Sequence, residues 1–473
     1  MSTSDHATRR TEPLPFPAGF RVGAATASYQ IEGAAAEDGR GVSIWDTFSH
    51  TPGKVRGGDT GDVACDSYHR YRDDAALLAE LGLASYRFSI SWPRIRPDGR
   101  GTVNQKGLDH YKAVVEALLE RSIEPVATLY HWDLPQVVED EGGWAARSTA
   151  EAFAEYAGIV AEALGDVVGK WITMNEPQVS ANHGYRTGEH APGLRDEVKA
   201  AAANHHLLLA HGLALEVLRG VLPGGTPVGI TLDLHPVRPG ADGIEELVAM
   251  VDAEQNGCYL EPVLHGRYPT AARPHMVPGA PVVRDGDLER IHAPIDFLGV
   301  NYYSPLYVRY GAWNALVGGE APRPGHPGVV SYAPPGFERT AMGWLVDPEG
   351  LYELLHRLAD ERPGLPLYVT ENGCAAEDYL ATDGQVHDPE RVKYLHLHLD
   401  ACARAAADGV PLHGYFVWSL LDNFEWAWGF QKRFGIVFVD FSDRRRVVKD
   451  SARFVAQVAA TGAVPPFPEH WPR

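Results

Sequence analysis

Two glutamates stand where apolar stretches of the sequence end. Glu176 follows the apolar run of WITMNEP, residues 171–177, and Glu371 follows that of LYVTENG, residues 367–373. Two carboxyl groups flanking an acetal bond can cleave it, one as a protonated acid and the other as an anion facing the anomeric carbon. Glutamates after strands also occur as solvated loop residues, so the surrounding sequence must decide whether the two act as a pair.

Short apolar runs alternate with helical patterns along the whole chain. Runs that lack polar alternation are typical of parallel strands buried on both faces. Eight such runs, each followed by a helix, predict an α/β fold, a single (β/α)8 TIM barrel. The predicted strands cover residues 20–26, 84–90, 124–130, 170–175, 227–234, 296–303, 366–372 and 413–420.

The length of the chain predicts long βα loops on this barrel. The chain has 473 residues, whereas the bare fold needs about 250. The candidate insertions are residues 41–66 after the first strand and 311–338 after the sixth. Active sites of this fold lie at the carboxyl ends of the strands. Glu176 and Glu371, at the ends of the fourth and seventh strands, can therefore face one substrate.

No repeat or linker divides the sequence. We expect a flexible N-terminal segment over residues 1–15 and a single (β/α)8 catalytic domain over residues 16–473. Ser148 with Glu151 predicts a capping box at a helix start. Pro348 predicts the first residue of another helix, and Gly409 predicts a helix end.

Composition narrows the classes of partner. The chain has 42 basic and 62 acidic residues, a net charge of −20, which disfavours nucleic acid and anionic membranes. We find neither a secretory signal in the first fifteen residues nor an apolar stretch long enough to span a membrane. The four cysteines have no CxxC spacing. A cytoplasmic location with reduced thiols is therefore expected.

Eight motifs together resemble one known family. In chain order they are FRVGAATASYQIEGA, SYRFSISWPRI, TLYHWDLPQ, WITMNEP, GEHAPG, GVNYY, LYVTENG and WSLLDNFEWAWGF. From Phe20 to about Phe454 the chain resembles glycoside hydrolase family 1, the β-glucosidase family. The resemblance implies a retaining β-glycosidase that acts by double displacement and needs no metal or cofactor.

The resemblance also implies roles for individual residues. Glu176 corresponds to the family's acid/base and Glu371 to its nucleophile. A cation beside a carboxylate keeps it ionised, and Arg87 fits that role for Glu371, with Tyr303 as a further hydrogen-bond donor. Asn175 is expected to hold the sugar's 2-hydroxyl.

The expected sugar site combines amides and carboxylates with an aromatic platform. Trp418 corresponds to the platform, and Trp171, His190 and Trp344 are expected on the leaving-group side. The full set expected to bind the sugar is Gln30, His131, Trp132, Asn175, Asn301, Trp418, Glu425, Trp426 and Phe434.

Glu425 bears on the class of substrate. In the 6-phospho-glycosidase branch of the family a carboxylate is absent at this place, and a glutamate there repels phosphate. The expected substrates are unphosphorylated β-glucosides and short cello-oligosaccharides. The same shell fits glucose, galactose and fucose, and neither the aglycone preference nor the oligomeric state is specified.

Two other readings of the sequence stay open at this point. One is a non-catalytic sugar-binding relative, although both glutamates are present. The other is a metal-dependent barrel hydrolase, since the chain has 21 histidines. However, His396 and His398 lie two residues apart in a helical pattern, where they point to different sides.

Overall fold

The chain forms a closed barrel of eight parallel strands. The computed structural model describes residues 10–273, 276–277, 279, 281–312, 320–322 and 328–468. In chain order, β1 to β8 are Arg21–Ala25, Ser85–Ser89, Glu124–Thr128, Lys170–Asn175, Val228–Asp233, Phe297–Asn301, Leu367–Asn372 and Leu412–Trp418. Each strand pairs with the next one in parallel, and β8 closes on β1. All eight predicted strands are thus confirmed, with ends that differ by at most two residues.

Both faces of these strands are covered by apolar side chains. Val126, Ile172, Phe297 and Phe416 come from four different strands and pack in one cluster, which fills the inside of the barrel. The neighbouring Trp171 packs instead in the large core that includes helix residues. Because both sides are buried, the strands show continuous apolar runs rather than an alternating pattern.

Helices surround the barrel. The longer ones, α1 to α9, are Ser67–Glu80, Gln105–Leu119, Arg147–Leu164, Glu197–Val221, Glu245–Asp252, Cys258–His265, Pro348–Glu361, Pro389–Ala407 and Asp450–Thr461. Further helical segments, of three to eight residues, lie at Ser28–Ile31, Ile44–Ser49, Arg56–Gly58, Trp92–Ile95, Gln136–Asp140, Gly143–Ala145, Pro177–Val179, Ser180–Thr187, Ala253–Gly257, Asp287–Ile291 and Trp426–Trp428. In the part of the chain that the structure describes, no helix is both long and apolar enough to cross a bilayer.

The helix ends follow the sequence signals in two cases of three. Helix α7 begins at Pro348, and Gly409 follows α8 with φ of +97°. The predicted capping box is wrong. Helix α3 begins at Arg147, so Ser148 lies inside it, where its hydroxyl accepts a hydrogen bond from Arg100.

Smaller strands extend the loops at the barrel mouth. Val237–Pro239, Leu306–Tyr310, Val329–Tyr332 and Glu320–Pro322 form a four-stranded sheet. The last two belong to the predicted insertion at 311–338, of which residues 313–319 and 323–327 lie outside the described residues. Val437–Asp440 pairs with Arg445–Val448.

The N-terminal segment that was predicted to be flexible is described only from residue 10 onward. There Leu14–Pro15 pairs with Ala463–Val464, and Arg10 forms an ion pair with Asp400. Residues 1–9 of the predicted segment lie outside the described residues.

Candidate active site

A cavity of about 490 Å³ opens at the carboxyl ends of the strands, and Glu176 and Glu371 both line it. The two glutamates are nearly fully buried, with 5% and 3% of their surfaces exposed. Further residues predicted to form the sugar site also line the cavity: His131, Trp132, His190, Tyr303, Trp344, Trp418, Glu425, Trp426 and Phe434.

Glu371 is surrounded by donors. Arg87 extends from β2 and donates from Nη1 to Oε1 of Glu371 over 2.6 Å. The hydroxyl of Tyr303, just after β6, donates to Oε2 over 2.7 Å. Burial raises the pKa of Glu371, while Arg87 and then Tyr303 oppose this rise by stabilising the anion. Both carboxylate oxygens are thus held by donors that favour the charged form.

Glu176 lies in a different environment. It follows β4 with φ of +46°, and its backbone N–H donates to the carbonyl of Thr231 on β5. Asn301 donates to Oε1 of its side chain, but no cation forms an ion pair with it among the described residues. Burial raises the pKa of Glu176 well above its ordinary value, and the nearby charges of Glu371 and Asp233 raise it further. This glutamate therefore holds a proton more strongly than Glu371 does.

A network of amides connects the two glutamates. Oδ1 of Asn175 accepts hydrogen bonds from Arg87 over 2.6 Å and from Asn301 over 3.1 Å. This fixes the amide so that its Nδ2 faces Nε2 of His131 at 3.2 Å. His131 must then accept at Nε2 and carry its proton on Nδ1. Burial lowers the pKa of His131 well below its ordinary value, which keeps the ring neutral.

Three of the residues predicted to bind the sugar have a buried polar atom without a partner among the described residues. They are Oε1 of Gln30, Nδ1 of His131 and Oε2 of Glu425. Buried polar atoms normally have hydrogen-bond partners, so these three suit a polar ligand. Burial, with a smaller effect from the charge of Glu371, raises the pKa of Glu425 to about 8.

Aromatic rings form the walls of the cavity. The ring centroid of Trp418, at the end of β8, lies 5.6 Å from that of His131. The ring centroids of Trp426 and Trp132 are 4.6 Å apart. The ring centroids of Phe434 and Trp344 are 5.9 Å apart. Buried carboxyl groups, amide and imidazole donors, and flat aromatic faces together suit a sugar ring, which presents hydroxyls at its edge and C–H groups on its faces.

The sequence matches a known family over nearly its whole length. The model of glycosyl hydrolase family 1 matches residues 13–463. The chain belongs to this family. A β-glucosidase A from Thermotoga maritima is 46% identical over 94% of this chain and 97% of its own length. A bifunctional β-D-glucosidase/β-D-fucosidase from Bifidobacterium breve is 48% identical over 94% of this chain and 99% of its own length.

A solved family 1 structure has the same fold. The β-glucosidase from Thermotoga maritima in complex with noeuromycin matches with a TM-score of 0.88 and 45% identity, over 95% of this chain and 99% of that chain. These matches confirm the predicted family, the barrel fold and the glycoside hydrolase class.

The prediction for Trp171 does not agree with its position in this family 1 barrel. Trp171 is fully buried and packs in the core that includes helix residues, not in the cavity. Its neighbour Ile172 points into the barrel, and adjacent side chains on a strand point to opposite faces. Trp171 is therefore a core residue, whereas His190 and Trp344 line the cavity.

Sequence reasoning missed several residues of the cavity. Asp233 is the last residue of β5 and lines the cavity together with His235. The signal was present, since Asp233 ends an apolar run at a strand terminus as Glu371 does. Other lining residues had no such signal, because they lie in loops and short helical segments away from the strand ends: His183, Glu189, Gln255, Ser304, Met342 and Trp428.

His396 and His398, and three further histidines on α4, have contacts other than a metal. His396 bonds to the carbonyl of Pro465 and His398 to that of Tyr394, while His205 contacts Asp287. His206 and His211 bond to the Trp144 carbonyl and the Thr173 hydroxyl. Within the described ranges, no three His, Cys, Asp or Glu side chains are grouped as metal ligands would be.

Proposed function

We propose that this chain hydrolyses terminal, non-reducing β-D-glucosyl residues of small β-glucosides and short cello-oligosaccharides with retention of configuration. The observation that carries the proposal is the difference between its two buried glutamates. Glu371 is held by Arg87 and Tyr303 as an anion, whereas the pKa of Glu176 is raised well above its ordinary value. One cavity thus offers an ionised and a protonated carboxyl group, as double displacement requires.

In the first step, a carboxylate oxygen of Glu371 attacks the anomeric carbon as Glu176 protonates the glycosidic oxygen. The bond between that carbon and that oxygen breaks, the leaving group departs as an alcohol, and the sugar remains as an ester of Glu371. Arg87 then no longer faces an anion, and Glu176 is ionised.

In the second step, Glu176 acts as the base. The ester has removed the negative charge of Glu371, but Glu176 has given up its proton and accepts another from an incoming water. The water oxygen attacks the anomeric carbon, the ester bond breaks, and Glu371 returns to its anionic form. Two inversions at one carbon give a product with the β configuration of the substrate.

The residues around the sugar suit an unphosphorylated glucoside. Gln30, His131 and Glu425 each present a buried polar atom that lacks a partner among the described residues, which sugar hydroxyls would supply. The amide of Asn175 faces the 2-hydroxyl in this proposal, and Trp418 carries the sugar's apolar face. A carboxyl group at Glu425 disfavours a phosphorylated sugar. One relative at 48% identity is named for both β-D-glucosidase and β-D-fucosidase activity, so we propose β-D-fucosides and β-D-galactosides as further substrates.

We further propose that residues 16–473 act as a single catalytic domain that works in the cytoplasm, where it would complete the breakdown of short cellulose fragments. The four cysteines are buried and free, which fits a reducing compartment. Activity after treatment with a chelator, together with elemental analysis, tests the prediction that no metal is needed.

Rescue of a nucleophile variant tests the mechanism. Glu371→Gly should abolish hydrolysis of nitrophenyl β-glucoside, and added azide should restore turnover and give the α-glucosyl azide. A β-azide product would reverse the roles of the two glutamates. Glu377→Gly is the matched control, because Glu377 lies in the loop after β7 with 83% of its side chain exposed; it should retain activity and not respond to azide.

The configuration of the first product provides a second test. NMR of a fresh wild-type reaction should show β-glucose before mutarotation. An initial α anomer would contradict the retaining mechanism, and a failure to release nitrophenol from any aryl β-glycoside would favour a non-catalytic sugar-binding protein.

A further inference from the structure

Asp233 and His235 form a pair on the side of the cavity next to Glu176. Asp233 ends β5, the strand to which the backbone of Glu176 is hydrogen-bonded through Thr231. Its carboxylate Oδ2 lies 2.8 Å from Nε2 of His235. Oδ1 is buried and has no hydrogen-bond partner in the described part of the chain.

Hydrogen bonding determines the charge of this pair. Nδ1 of His235 lies 2.7 Å from the carbonyl of Ser304, which can only accept. The proton on Nδ1 is therefore committed, and the contact between Nε2 and Asp233 needs a second proton. A histidine that donates from both ring nitrogens is an imidazolium, so the contact pairs this cation with the Asp233 carboxylate.

We propose that Asp233, held in place by His235, is a positioning residue that keeps Glu176 in its acid form and so sets the upper pH limit of the first step. The inference rests on the proposed role of Glu176. It assigns a function to a carboxylate that takes no part in the chemistry itself.

Other charged and titratable groups face Glu176 from each side of the site. Glu371 on β7 favours the protonated form, and Arg87 on β2 opposes it. Asn301 on β6 donates to Oε1. Tyr303 after β6 and the neutral His131 after β3 also line the cavity.

Asp233 differs from Glu371 in what happens during the reaction. Glu371 loses its charge when the sugar ester forms, and its effect on Glu176 then disappears. Asp233 forms no bond to the sugar, so neither step removes its charge. After glycosylation it is the carboxylate that still strengthens Glu176 as a base for the incoming water.

The pH dependence of kcat/KM tests the proposal. Asp233→Asn keeps the shape of the side chain and removes its charge, so Glu176 should lose its proton at lower pH. We expect the basic limb of the profile with nitrophenyl β-glucoside to move down by about one pH unit, with the acid limb unchanged. An unmoved basic limb, even at a reduced rate, would overturn the proposal and leave Asp233 a structural role.

Two further variants separate the possible failures. His235→Gln removes the compensating cation and should move the basic limb in the opposite direction, to higher pH. Glu176→Gln should require an activated leaving group such as dinitrophenol and should show no shift when Asp233→Asn is added. If Glu176→Gln still hydrolysed substrates with poor leaving groups at the wild-type rate, the proposed role of Glu176 would be wrong. If only the basic limb of Asp233→Asn stayed in place, the role proposed for Asp233 alone would be wrong.

Discussion

Replacing Tyr303 with phenylalanine removes a single hydrogen bond from the proposed nucleophile. The hydroxyl of Tyr303 donates to Oε2 of Glu371 over 2.7 Å, and the ring also contacts Trp344 and Phe434. Phenylalanine preserves the ring contacts. The variant therefore isolates the effect of the phenol on the charge of Glu371.

The sign and size of the effect follow from this contact. Tyr303 lowers the pKa of Glu371 against the effect of burial, so its loss raises that pKa. A hydrogen bond to a charged group contributes about 1.5–3 kcal/mol, which corresponds to about one to two pH units. Since Glu371 must be ionised to attack, the acid limb of kcat/KM should move up by that amount in Tyr303→Phe, while the basic limb stays in place.

Profiles of kcat/KM with nitrophenyl β-glucoside between pH 4 and 9 measure this shift. Tyr302→Phe is a matched control, because the neighbouring hydroxyl donates to the carbonyl of Asp347 and not to a glutamate. It should reduce stability and leave both limbs unchanged. If the acid limb of Tyr303→Phe stayed at its wild-type position, the phenol would not stabilise the anion and the reasoning would be refuted.

Four other substitutions examine three separate features. The pKa of Glu425 is raised to about 8, so its contribution to stability is complete below its unfolded-state pKa and is lost as the pH rises through about 8. Glu425→Gln should therefore raise Tm at pH 9 and leave it unchanged at pH 4. The same variant should weaken sugar binding. Trp171→Phe should lower Tm without changing the ratio of kcat/KM for aryl glucoside to that for cellobiose, whereas Trp344→Ala should change this ratio. The opposite pattern would place Trp171 at the site. Lys449 is fully buried between Asp378 and Asp422, so Lys449→Met should destabilise the fold by about 3–5 kcal/mol, and a denaturation midpoint equal to that of wild type would contradict this.

The barrel strands and the positions of the two glutamates could be predicted because buried strands require apolar residues, whereas functional residues at their ends are polar. A strand covered on both faces requires an unbroken apolar run, so the polar residue that ends it is conspicuous. Glu176 and Glu371 both follow this rule. The chemistry of the shell came from motif resemblance, since Gln30 and Glu425 lie in the segments after β1 and β8, beyond the strand pattern that could indicate where their side chains point.

The same unbroken pattern explains the error at Trp171. When every residue of a strand is apolar, the sequence does not show which alternate set points inward. The bulge between Ile172 and Asn175 in the pairing of β4 with β5 changes the alternation once more. The capping box at Ser148 failed for a different reason, because the helix begins at Arg147, two residues earlier than an N-cap at Ser148 would place it.

Several residues of the cavity have a backbone conformation that costs stability. Trp132, Glu176 and Trp426 have φ of +79°, +46° and +48°, and the left-handed conformation costs a non-glycine residue about 1–2 kcal/mol. Glycine adopts it freely, and at position 176 it would also remove a buried carboxyl group. Directed evolution of this protein for heat resistance alone would therefore favour inactive variants such as Glu176→Gly, so selection must require turnover at every round.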